Sequence, residues 1–169
     1  MPLVLMTDDR DADWAGAVAR LPRGSIVVVR SRDAKKRAAL AERLHGLATL
    51  LIAGDPDLAL EIGAAGLHLP ETHMKQAHHW RLRRPDWIIT SSAHSLSALM
   101  HAHALDAVFL SPVFATTSHA GARALNPSRA ALIAAAAPVS VYALGGVTAR
   151  NAPLLAPVFS GIAAISSLL

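Results

Sequence analysis

Eight short apolar runs, spaced at nearly even intervals, constrain this chain more than any other feature. They are Pro2–Thr7, Ser25–Arg30, Ala48–Ala53, Gly66–Pro70, Trp87–Ser92, Ala107–Pro112, Pro138–Leu144 and Gly161–Ser166. Each is almost continuously aliphatic, as expected of strands buried on both faces of a parallel sheet. Their starts lie 23, 23, 18, 21, 20, 31 and 23 residues apart, room for one helix and two short loops each time. The gaps carry helix signals. Asp33–His45 opens on a capping Asp and repeats Ala38, Leu40, Ala41 and Leu44 along one face. Asp55–Gly63 has an Asp cap, then Pro, and ends on Gly. Ser95–Leu105 starts on a Ser cap, Asn126–Ala137 repeats the cap-then-Pro pattern, and Thr148–Ala156 follows a glycine pair. Strand and helix in alternation predict an α/β fold with right-handed parallel crossovers.

Eight such units fit a (β/α)8 TIM barrel. The chain has 169 residues, below the roughly 200 at the lower bound of such barrels, so its helices must be short. Three residues follow Ser166; the expectation is a shortened barrel lacking the final helix, formed by residues 1–169 as one domain. The rival is an open doubly wound sheet, against which stands the lack of a GxGxxG after the first run.

Alanine fills 35 of the 169 positions and aromatics 4%, so the core is packed from small and aliphatic side chains. The absence of cysteine excludes a disulfide scaffold, a thiolate zinc site and a cysteine nucleophile. The uncharged stretches 130–149 and 151–169 are broken by Pro138, Gly145, Gly146, Pro153, Pro157 and Gly161 and do not read as membrane spans. No basic region precedes the first apolar run, so the reading is a cytoplasmic protein. Every Asp and Glu lies at or before Asp106; beyond it stand three Arg and no acid. That balance suits an anionic ligand or a buried, weakly charged segment. No Lys/Arg cluster with interleaved aromatics marks a nucleic-acid surface.

In a barrel, ligands bind at the C-terminal ends of the strands, and the loops after strands 7 and 8 commonly hold phosphate. Gly145 and Gly146 follow the seventh run, Ser166 and Ser167 end the eighth. Glycines let backbone N–H groups approach an oxyanion, although a glycine pair equally makes a simple turn. The loop after the sixth run, 113–125, carries Thr116, Thr117, Ser118, His119 and Arg123 with no acid, an inventory suited to a phosphate or diphosphate. Arg30 ends the second run and Arg32 follows it; Ser92 and His94 stand at the end of the fifth. His94 is a candidate general acid/base, and His119 stands on the same face. His68 lies inside the fourth run and reads as a core or wall residue. The pairs His78–His79 and His101-x-His103 do not share a helical face and make no chelate.

At these positions the sequence resembles the thiamine phosphate synthase/TenI family. Seven segments carry the resemblance in order: LVLMTDDRD, VVVRSRD, IAGDPDLALEIGAAGLHLPE, SSAHSLSAL, FLSPVFATTSHAGARAL, VYALGGVTARN and GIAAISSLL. The resemblance implies joining of a thiazole phosphate to a hydroxymethylpyrimidine diphosphate, with Mg²⁺ and release of diphosphate. By the same resemblance Gly145, Gly146, Ile165 and Ser166 hold the thiazole phosphate, while Arg30, Ser92, Thr116, Ser118 and His119 line the pyrimidine and diphosphate side. The metal would fall to Asp55 and Glu71. The chain departs from the family there: Ala53–Gly54 replaces an Asn-Asp, and His73 stands at a second metal-binding Asp. Val28 and Arg32 replace a Gln and a Lys, His119 replaces a loop lysine, and Pro112 stands where the TenI branch carries a histidine. A TenI-like metal-free thiazole tautomerase and a non-catalytic phosphate binder therefore stay open beside the synthase. The flank without a helix leads to the expectation of a homodimer.

Overall fold

A computed structural model describes residues 3–116, 124–155 and 157–165. All eight predicted runs form strands: β1 Leu3–Met6, β2 Ile26–Val29, β3 Thr49–Ala53, β4 Gly66–Leu69, β5 Ile88–Ala93, β6 Ala107–Leu110, β7 Ser140–Ala143 and β8 Gly161–Ala164. Each pairs in parallel with the next, and β8 returns to β1 through Leu3–Ile162, Val4–Ala163 and Leu5–Ala164, so the sheet closes. The open-sheet alternative is thereby removed. Val4, Leu5, Val27, Leu51, Ile52, Leu67 and Ile89 are wholly buried, which accounts for the unbroken aliphatic runs.

The helices on the outside are α1 Trp14–Ala19, α2 Ala34–Leu44, α3 Pro56–Glu61, α4 Ala77–Arg83, α5 Leu96–Leu99 and α6 Pro127–Ala135. Side-chain caps start five of them. Asp13 accepts from the Gly16 N–H, Asp33 from Lys35 and Lys36, Asp55 from Leu58, Ser95 from Ala98, and Asn126 from Arg129. A 3₁₀ turn, Glu71–Gln76, leads into α4.

Two predicted helices are shorter than the sequence suggested. Ser95–Leu105 is helical only to Leu99. There the His101 ring takes the Ser97 carbonyl at 2.9 Å, while the His101 N–H turns back to Ala98. In the segment expected to be helical from Thr148 to Ala156, the described residues 148–155 hold only the 3₁₀ turn Ala152–Leu154. Thr148 and Asn151 bond each other's backbone N–H groups through their side chains, and Pro153 brings no N–H. The expected absence of a last helix concerns residues 166–169, which lie outside those described.

Gly66 shows how tightly the wall is built. A Cβ there would stand 1.9 Å from the Ile88 carbonyl oxygen on β5. Gly66→Ala is therefore expected to destabilise the fold by about 1–3 kcal/mol through overpacking. Urea unfolding measures this; a midpoint unchanged from wild type would contradict it.

Candidate functional site

The C-terminal ends of the strands surround a cavity of about 580 Å³. Gly145 and Gly146 border it from the loop after β7, and Ile165 from the end of β8. Both glycines have positive φ, 88° and 64°. A Cβ on Gly145 would lie 2.8 Å from Pro112 Cα, and one on Gly146 2.2 Å from the Ala115 oxygen. The reason is that the loop after β6 runs hard against them: Val113 N–H donates to Leu144 O at 2.9 Å and Phe114 N–H to Gly145 O at 3.1 Å. Asn151 Nδ2 donates to Gly146 O at 2.8 Å from the far side. Glycine is thus needed twice over, for the turn and for the close approach of the neighbouring loop.

Arg30 reaches the same cavity from the end of β2, three strands round the closed ring from the glycines after β7. His68 stands between. It is buried, stacked on Phe109 with ring centroids 4.9 Å apart, and held at both nitrogens: Nδ1 lies 2.9 Å from Thr90 Oγ1 and Nε2 3.0 Å from Ser92 Oγ. Burial first, and the Arg30 charge second, push its pKa down to about 3, so the ring is neutral at ordinary pH. A neutral imidazole between two hydroxyls satisfies all three groups and lets Ser92 present a fixed oxygen to the cavity.

His94 is positioned from two sides. Its backbone N–H donates to Glu71 Oε2 at 2.6 Å, and its Nδ1 lies 2.8 Å from the Ser111 carbonyl oxygen. A carbonyl only accepts, so Nδ1 carries the proton, and Nε2 of the neutral ring is the acceptor. His94, Glu71, Ser111 and Thr116 all border the cavity. Among the described residues the geometry brings together anion-sized space, one guanidinium, hydroxyl donors and an imidazole acceptor.

Other expected site residues stand elsewhere. Arg32 is away from the cavity lining; its N–H bonds Asp9 Oδ1 at 3.1 Å. Asp55 is turned to structure: it caps α3 and pairs with Arg37 at 2.5 Å. Desolvation works against its charge, but the Arg37 guanidinium and the Leu58 N–H hold the carboxyl below the usual range. Ser118, His119, Arg123, Ser166 and Ser167 lie outside the described residues. Sequence reasoning passed over Thr90, Ser111 and Thr148, and left His68 as wall. The signal was present: Thr90 and Ser92 are polar at a spacing of two inside an apolar run, which puts both on one face of β5.

A family model described as thiamine monophosphate synthase matches residues 3–168. The chain belongs to that family. It is similar to the thiamine-phosphate synthase of Chlorobium luteolum, 31% identical over 99% of this chain and 85% of that one. The thiamine-phosphate synthase of Methanoculleus marisnigri is 35% identical over 66% of this chain and 55% of its own. The solved thiamine phosphate pyrophosphorylase of Pyrococcus furiosus superposes with a TM-score of 0.78 at 22% identity, covering 98% of this chain and 85% of that one, and shares its fold.

Synthases of this family imply Mg²⁺, which takes oxygen ligands in near-octahedral array. The residues present do not fit it. Asp55 is spent on Arg37 and α3, and Glu71, the one carboxylate bordering the cavity among the described residues, already accepts the His94 N–H. Among the described residues no group of three or more His, Cys, Asp or Glu is placed to hold a metal ion. Asp55 does not border the cavity that Glu71 lines, so the expected metal pair is not brought together there.

His68 makes a pH prediction. Its pKa is lowered from 6.5 to about 3 in the folded chain. Above about 6.5 neither state is protonated there and nothing is lost; as pH falls from 6.5 toward 3 the unfolded chain takes the proton first and stability declines. The limiting slope for one group is about 1.4 kcal/mol per pH unit. His68→Gln keeps a donor and an acceptor without titrating. Urea unfolding between about pH 7 and 4 should show a shallower decline in this variant, and an identical slope would contradict the prediction.

Proposed function

We propose that this chain is a thiamine phosphate synthase-like enzyme of thiamine biosynthesis. A thiazole phosphate seats its phosphate against Gly145, Gly146 and Ile165, with Ser166 and Ser167 completing that rim. A hydroxymethylpyrimidine diphosphate lies across the cavity toward Arg30, Ser92 and Thr116, with Ser118, His119 and Arg123 contributed by the loop after β6. The observation that carries this reading is that one cavity joins the glycine rim of β7 to the arginine of β2 in a chain of this family. The thiazole nitrogen attacks the pyrimidine's methylene carbon, the carbon–oxygen bond to diphosphate breaks, and the electron pair leaves with diphosphate. The Arg30 guanidinium offsets the charge that grows on the departing oxygen.

The fixed tautomer of His94 favours a second reading. A neutral imidazole with Nε2 as acceptor can take a proton from a thiazole phosphate tautomer and return it elsewhere on the ring, with no metal. Purified protein given both substrates should release thiamine phosphate and diphosphate in equal amounts, and Arg30→Ala should lower kcat/KM by about a hundredfold. No coupled product, with isomerisation that vanishes in His94→Ala, would replace the first reading by the second. Binding of thiamine phosphate with neither reaction would leave a phosphate-binding relative and overturn both.

The chain also suits a homodimer of cytoplasmic barrels. Leu132 on α6 is 75% exposed and Leu154, in the connection from β7 to β8, 66% exposed, and these segments flank β7 on successive sides. No helix among the described residues is long and apolar enough to cross a membrane. Light scattering at micromolar concentration should give twice the chain mass of 17.7 kDa; the chain mass itself would contradict a dimer.

A further inference from the structure

Where the β1–β2 ladder ends, a side chain makes the next rung. Thr7 N–H donates to Val28 O at 3.0 Å as an ordinary strand pair. Beyond it, Thr7 Oγ1 accepts the Arg30 N–H at 2.8 Å and donates to the Arg30 carbonyl at 3.0 Å. Thr7 is wholly buried and does not border the cavity. The residues after Arg30 are tied in the same way. Asp9 Oδ1 accepts from Ser31 Oγ at 2.5 Å and from the Arg32 N–H at 3.1 Å, and Arg37 Nη1 donates to the Ser31 carbonyl at 2.8 Å. Thr7 thus fixes the peptide units on both sides of Arg30, and Asp9 and Arg37 of α2 fix the Ser31–Arg32 unit that follows.

The cost of such a device explains its purpose. A buried hydroxyl is expensive unless bonded, and a threonine that only filled space could be a valine of the same shape. Here the hydroxyl grips both backbone groups of Arg30, the arginine that borders the cavity among the described residues. We propose that Thr7 is a positioning residue for Arg30, with Asp9 as its outer brace. Together they hold the guanidinium where the leaving diphosphate sits. The inference rests on the reading of Arg30 as the group that receives that anion.

The test is a double-mutant cycle read as the Kd of inorganic diphosphate, measured by calorimetry. Thr7→Val should weaken binding about tenfold, the value of one lost and well-placed hydrogen bond. Thr7→Ser, which keeps the hydroxyl, should stay within about twofold of wild type. In an Arg30→Ala background, adding Thr7→Val should change nothing further, because the threonine acts only through the arginine. Equal losses with and without Arg30 would overturn the proposal, as would a Thr7→Val protein that binds like wild type. Asp9 is exposed, so Asp9→Ala serves where Thr7→Val does not fold. It should weaken binding only when Arg30 is present, and a loss independent of Arg30 counts against the proposal. An Arg30→Ala protein with undiminished affinity would remove this inference and the assigned role of Arg30 together. A weakened Arg30→Ala beside an unaffected Thr7→Val would remove this inference alone.

Discussion

Pairing of β8 with β1 is the constraint on which the rest depends. Once Leu3, Val4 and Leu5 pair with Ile162, Ala163 and Ala164, the eight strands point the same way round a closed ring. Their C-terminal ends then share one rim, and residues as distant in sequence as Arg30, Ser92 and Gly145 face one space. Without that closure β1 and β8 would no longer be neighbours, and the short way round from Gly145 to Arg30 would be lost. The pairing of β4 with β5 is as tight: Gly66 has no room for a methyl group against Ile88.

The fold was readable because its signal is redundant. Eight aliphatic runs at intervals of 18 to 31 residues leave little choice of architecture, and capping residues mark the starts of α2, α3, α5 and α6. Helix ends were harder to place. Asn151 and His101 look like ordinary helix residues in sequence, yet both spend side-chain polar groups on nearby backbone, His101 just past the end of α5 and Asn151 just before the 3₁₀ turn. The family resemblance and the glycine rim were equally legible, since a Gly-Gly after the seventh run has one place in a barrel.

Carboxylates were the part that could not be read. Asp55 sits one residue from the position where the family carries a metal ligand, and spacing alone admits it. What decides against it is Arg37, eighteen residues earlier, whose guanidinium reaches both Asp55 and the Ser31 carbonyl. Asp55 therefore belongs to the frame that holds the segment after Arg30, by way of α2. Glu71 is likewise committed, to the backbone of His94. Such pairings are long-range and depend on register, so no local pattern announces them. His68 illustrates the converse: a histidine in an apolar run reads as filler, but its two hydroxyl partners come from β5 and order a cavity-facing serine.

The account as a whole depends on a phosphate lying against the loop after β7. A crystal structure of the protein with thiamine phosphate tests that most directly. The phosphate should rest on the backbone at Gly145 and Gly146, with the pyrimidine ring extending toward Ser92 and Arg30. A phosphate bound outside this cavity, or an organic group turned away from β2 and β5, would contradict it.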